Sequence, residues 1–208
     1  MKKKIYIILY ALILISAFTK EQVFAKEQVF AASELDEIQS YIITVEPYAD
    51  GTLKMHYSFV WKVLSNEEGP LTWVKIGVAN KHFDILNCSD NAKARKDNSY
   101  VRLDFKSSYN AGDVVEFDFT IKQKHLASYS NGYPYYEFKN GWFDEIYVKS
   151  FELRWKKDGI ASITPVTESI DGYEVYKSPL NKGESVLFRI QYRENYMQLG
   201  EEAMLLKD

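Results

Sequence analysis

Residues 52–63 alternate without a break. Leu53, Met55, Tyr57, Phe59, Trp61 and Val63 fall on one face, and Lys54, His56, Ser58, Val60 and Lys62 on the other. Period two sustained this long predicts a half-buried strand. Asp50-Gly51 precedes it, a two-residue hairpin signal. The stretch before the turn, residues 38–46, is β-branched and aromatic through Tyr41, Ile42, Ile43 and Val45, so the two segments are expected to pair.

The pattern recurs downstream. Residues 71–78 and 83–88 are short apolar runs. Residues 99–105 alternate through Val101, Leu103 and Phe105, and residues 114–123 through Val115, Phe117, Phe119 and Ile121. Residues 146–155 place Phe151, Leu153 and Trp155 on one face. Residues 173–177 and 185–192 complete the set, and Asp158-Gly159 and Asp171-Gly172 are further hairpin signals. Helical periodicity is absent except at residues 195–208, where a weak terminal helix is expected. About nine to ten short strands at near-regular spacing predict an all-β fold: a single antiparallel β-sandwich, immunoglobulin-like or jelly-roll-like, over residues 32–194. The chain lacks a Cys…Trp…Cys framework, which excludes an antibody-type domain.

The first 31 residues follow different rules. Lys2, Lys3 and Lys4 open the chain, and residues 5–18 form an uncharged apolar run shorter than the roughly 20 residues a span needs. Val23-Phe24-Ala25 offers a small-residue cleavage pattern, and the hexapeptide Lys-Glu-Gln-Val-Phe-Ala then repeats to end at Ala31. Residues 1–31 therefore read as a secretory signal peptide, cleaved after Ala25 or Ala31. An uncleaved N-terminal anchor is the alternative. The implied localisation is secreted or at the extracellular cell surface, with no membrane span in the mature chain.

Composition sharpens this picture in three ways. Hydrophobic residues at 46% and charged residues at 26% are ordinary globular usage, which excludes a disordered or many-pass membrane chain. Aromatic residues at 15% are unusually frequent, so rings are expected to build much of the core. The formal net charge is −3; without the five lysines and two glutamates of residues 1–31, 21 basic and 27 acidic residues remain, a net charge of −6. Nucleic acid is thereby excluded as a partner on charge. Cys88 is the single cysteine, so no intrachain disulfide forms; it reads as a small buried hydrophobe.

Three segments carry a resemblance. Residues 41–56 (YIITVEPYADGTLKMH), 69–77 (GPLTWVKIG) and 141–145 (GWFDE) resemble an uncharacterised family of exported Gram-positive bacterial proteins with an extracellular β-sandwich domain. The resemblance spans residues 38–192. It implies an exported β-sandwich and no particular chemistry.

Candidate chemistry concentrates in residues 124–145, expected to be a long loop between two strands. It carries Tyr129, Tyr133, Tyr135, Tyr136, Phe138, Trp142 and Phe143. Aromatic faces on a loop stack on sugar rings or anchor a protein partner; alternatively they close one end of the core. The candidate ligand-binding residues are Trp142, Tyr133, Tyr135, Tyr136, Asp144 and Glu145, with Trp73 beside them. Asp144, Glu145 and Glu137 also invite a two-carboxylate glycosidase reading, but adjacent acids in one loop do not provide the required separation across a cleft. His56, His82 and His125 lack metal-ligand spacing, and residues 90–98 read as a solvated turn without calcium-loop pattern. There is no Gly-x-Ser-x-Gly, P-loop or His-Glu-x-x-His.

The expected function is thus a non-enzymatic exported domain that binds or packs at the bacterial cell envelope, its partner an envelope protein or a glycan. No catalytic residue, cofactor or metal is expected. The alternative is a carbohydrate-active domain, a sugar-binding module or small glycoside hydrolase using loop aromatics. Assembly into homo-oligomers through free strand edges is a further expectation.

Overall fold

The computed structural model describes residues 34–206. The proposed signal peptide and both cleavage positions lie outside the described residues.

The described residues are all-β, as the alternation predicts. The strands are β1 (Asp36–Pro47), β2 (Leu53–Val63), β3 (Leu71–Gly77), β4 (Phe83–Cys88), β5 (Ala92–Asp97), β6 (Tyr100–Tyr109), β7 (Val114–Gln123), β8 (Ala127–Ser130), β9 (Tyr133–Lys139), β10 (Tyr147–Lys156), β11 (Ile160–Thr164), β12 (Glu168–Ile170), β13 (Tyr173–Leu180) and β14 (Leu187–Tyr192). They do not form a single antiparallel sandwich of nine or ten strands. They form three sheets: seven strands in the order β12-β13-β10-β1-β2-β7-β4, four in the order β11-β14-β9-β8, and three in the order β3-β6-β5. One pair in the large sheet, β1 with β10, is parallel, Tyr41 lying opposite Phe151 and Val45 opposite Trp155.

The large sheet supplies one continuous apolar face. Register places Phe151, Tyr41, Phe59 and Phe117 side by side across β10, β1, β2 and β7. Tyr41 stacks on Phe59 at 4.5 Å and Phe59 on Phe117 at 5.0 Å, so cross-strand ring pairs stabilise the sheet. Both smaller sheets cover this same face. Phe138 of β9 packs on Trp155, Phe188 of β14 on Phe151, and Phe105 of β6 on Phe117. The second layer is therefore split in two, with a seam between its sheets.

Several local expectations change. Asp50-Gly51 and Asp171-Gly172 do turn hairpins, β1–β2 and β12–β13. Asp158-Gly159 does not: β10 and β11 belong to different sheets, so this turn carries the chain from one layer to the other. Residues 90–98 are not a plain solvated turn but contain β5, an edge strand rich in Lys and Arg, the composition that guards open edges. Residues 195–206 form no helix. They fold back over the core, burying Met197, Leu199 and Ala203. The β1–β2 turn leaves room for them: a Cβ on Gly51 would lie 2.4 Å from Leu199 Cδ2. The tail is thus part of the domain that the sequence ends at residue 194.

Candidate functional site

Half of the segment 124–145 is strand, β8 and β9. Asn131-Gly132, with φ of 52° and 85°, makes a tight hairpin turn between β8 and β9. Alternation along β9 then decides which rings are available. Pro134, Tyr136 and Phe138 point inward, and Tyr136 is fully buried, its hydroxyl donating to the Gly51 carbonyl at 2.8 Å. Tyr136 is therefore a core residue, and its candidacy as a ligand contact is withdrawn. Tyr133 and Tyr135 are half-buried on the outer face of the four-stranded sheet. There the Tyr135 hydroxyl donates to Glu137, which also pairs with Arg189 at 3.0 Å. Glu137 is committed to that pair, and its carboxyl is held below the ordinary range by the Tyr135 and Arg189 hydrogen bonds. The three acids of the hydrolase reading are thus divided between places.

Beyond β9 the chain crosses the seam. Asn140 is buried and clamps the crossing: its Oδ1 accepts from the Val186 amide at 2.7 Å and its Nδ2 donates to the Gly141 carbonyl at 2.8 Å. Gly141 then passes against the end of β3, where a Cβ would fall 2.6 Å from the Gly77 carbonyl oxygen. The next two residues part ways. Phe143 turns in, edge-on to Tyr41, Phe59 and Trp61 at 5.8 to 6.3 Å. Trp142 turns out and is 51% exposed.

The three-stranded sheet provides the opposite wall. Asn98, at a φ of 54°, and Ser99 turn β5 into β6 and set Tyr100 across from Gly77. Tyr100 is 44% exposed. Between Tyr100 and Trp142 lies a cleft of about 370 Å³, lined also by Ser99, Lys139, Gly141 and Asp144. The Lys139 ammonium stands 5.1 Å over the Trp142 ring, within cation–π range. Trp73, 45% exposed, lies on the adjoining sheet face with the Arg102 guanidinium 4.0 Å above its ring. The cleft therefore offers two aromatic flanks and hydrogen-bonding groups. Asp144 lines it; Glu145 is exposed and does not.

The structure thus unites Trp142 and Asp144, places Trp73 on the neighbouring face, and sets Tyr133, Tyr135, Tyr136 and Glu145 outside the cleft. Sequence reasoning missed Tyr100, Lys139 and Ser99. One signal pointed at them: the two segments GPLTWVKIG and GWFDE meet through Gly77 and Gly141, and the cleft opens above that contact.

Elsewhere, His82 and His125 come together with ring centroids 5.0 Å apart, closer than their spacing in sequence implies. His125 Nδ1 lies 2.8 Å from the Met204 carbonyl, and desolvation with the neighbouring His125 ring lowers the pKa of His82. Among the described residues no cluster of three or more His, Cys, Asp or Glu side chains suited to a metal joins them.

Neither a protein-family model nor a curated protein sequence matches the chain. Solved structures do share its fold in part. Yeast LTA4 hydrolase in complex with bestatin is similar at a TM-score of 0.53 and 10% identity, over 82% of this chain and 32% of that one. The M1 zinc metallopeptidase from Deinococcus radiodurans is similar at a TM-score of 0.47 and 10% identity, over 74% of this chain and 42% of that one. This chain spans less than half the length of either. The likeness is one of fold, and no helix among the described residues is long and apolar enough to cross a membrane.

Proposed function

We propose that this chain is an exported, non-enzymatic binding domain of the bacterial cell envelope that holds its ligand at the Trp142–Tyr100 cleft. One observation carries the reading. The inward rings of this region are packed away, Tyr136 and Phe138 in the core and Phe143 against it, whereas Trp142 and Tyr100 are held about half-exposed on either side of a cleft. Large apolar rings kept in water mark contact surfaces when they stand together. The charged start, short apolar run and duplicated Val-Phe-Ala support export. At 10% identity over 32% of its length, the yeast hydrolase lends this chain a likeness of fold and no activity.

A sugar-binding module is the second reading, favoured by the cleft's composition. Its two rings suit the flat face of a pyranose, and Ser99, Lys139 and Asp144 suit hydroxyl groups. The test for both is retention of the purified protein on isolated cell wall. Trp142→Ala and Tyr100→Ala are expected to abolish retention while leaving the thermal midpoint in place. Full retention by both variants would overturn the reading.

A further inference from the structure

The outer face of the three-stranded sheet forms a grid fixed by register. Directly opposed residues share a face, so its three rows are Gly77, Tyr100, Asp97; then Lys75, Arg102, Arg95; then Trp73, Asp104, Lys93. The middle row is three cations side by side, at the strand spacing of about 4.8 Å. Like charges directly opposite one another destabilise a sheet. Here each finds an acid in an adjacent row: Lys75 pairs with Asp97 at 2.7 Å, Arg102 with Asp104 at 2.8 Å and Arg95 with Asp104 at 3.1 Å. Two carboxylates thus stand among four cations, Lys93 included, and the face is net positive on a chain whose formal charge is −3. The Lys75 and Arg95 side chains remain 40% and 59% exposed. Trp73 and Tyr100 stand on either side of the cation row, and Tyr100 leads directly into the Trp142 cleft.

We infer that this face binds an anionic polysaccharide: a polymer of sugar or polyol units bearing carboxylate or phosphate groups. The inference rests on the reading of the cleft given above and names its ligand class. The three cations of the middle row are oriented by ion pairs and, for Arg102, by the Trp73 ring, so less ordering remains to oppose binding. Charge complementarity selects an anion. The aromatic flanks and the hydroxyl-matching wall of the cleft select the C–H and hydroxyl groups of a sugar or polyol unit over an acidic peptide, whose anchor would be an apolar side chain.

The test uses the purified protein in affinity electrophoresis against four polymers. Polygalacturonate supplies carboxylates, poly(glycerol phosphate) supplies phosphates, dextran is neutral, and an oligo-dT strand supplies phosphate charge without free hydroxyl groups along the chain. Retardation is expected with one or both anionic polyols, weakening as salt is added. Lys93→Gln with Arg95→Gln is expected to weaken it about tenfold, as loss of charge-assisted contacts does. Lys75→Gln is a second, independent variant on the opposite edge strand, and near-ultraviolet circular dichroism verifies the fold of each. Equal binding to dextran, undiminished binding by both cation variants, or equal binding to oligo-dT would each overturn the inference. Failure of every polymer would do the same; if cell-wall retention then still depended on Trp142, the reading of the cleft would stand without it. Loss of that dependence would remove both.

Discussion

Gly141 and Gly77 touch backbone to backbone across the seam, and the contact is asymmetric. A Cβ on Gly141 would lie 2.6 Å from the Gly77 carbonyl oxygen, whereas a Cβ on Gly77 would meet the Gly141 Cα at 3.5 Å, an ordinary contact. Backbone on backbone cannot yield as a flexible side chain does. Gly141→Ala is therefore expected to cost about 1–3 kcal/mol, the scale of forced overpacking. Gly77→Ala is expected to stay within about 1 kcal/mol of wild type, since no strain accompanies it. Urea unfolding of both variants checks the pair, and equal losses would show that the seam is not closed by this contact.

Adjacent residues Trp142 and Phe143 should behave as opposites. Trp142→Ala removes an exposed ring and is expected to change stability by less than about 1 kcal/mol. Phe143→Ala removes the ring packed against Tyr41, Phe59 and Trp61 and is expected to cost about 3 kcal/mol. Cell-wall retention per folded molecule should follow the reverse order. Thermal denaturation combined with a pull-down separates the two effects.

Trp61 tests the register of the large sheet. It is 3% exposed, on the face of β2 shared with Phe59. Trp61→Ala is expected to cost about 3–5 kcal/mol, as truncation of a core aromatic does. Its neighbour Lys62 lies on the other face, and Lys62→Ala should be nearly neutral. A reversal in chemical melts would mean the strand is read one residue out of step.

Buried phenols set an alkaline limit. Desolvation pushes the hydroxyls of Tyr41, Tyr57, Tyr136 and Tyr192 well above the ordinary tyrosine range, with Tyr57 adding to the effect on Tyr41 and Tyr192 to that on Tyr136. A folded-state pKa above the unfolded one contributes stability that is complete below about pH 10 and is lost as pH rises beyond it. Stability should therefore fall steeply above about pH 10. Phenolate absorbance at alkaline pH should show a group of tyrosines that ionises only together with the loss of near-ultraviolet dichroism. Ionisation of every tyrosine before that loss would contradict the burial of these four.

The parts of the fold legible in the sequence are those where one face is apolar and the other polar. β2 and β7 were readable residue by residue because each has one wet face. β5 was not, since its inward positions include Ala92 and Ala94, too small to register as a hydrophobic stripe among lysines. The division into three sheets was invisible for a different reason: alternation says which face of a strand is buried but not which strand lies beside it. The site was half legible. Trp142 and Trp73 stood out by type, but Tyr136 looked identical to its half-buried neighbours Tyr133 and Tyr135 until β9 supplied a register. Tyr100 and the cation row required knowing that β3, β6 and β5 share a face.

The parallel pairing of β1 with β10 also dictates when the molecule can finish assembling. β1 reaches one neighbour, β2, through a short turn, but its other edge waits for Phe151, Leu153 and Trp155. As the chain is made from its beginning, β1, β2 and β7 can join early while that edge presents unpaired amides and half of a ring stack to whatever is near. Closure over so long an interval is slow compared with hairpin formation. The commitment to the native state therefore belongs to the final third of the chain, although the clearest strand in the sequence lies in the first.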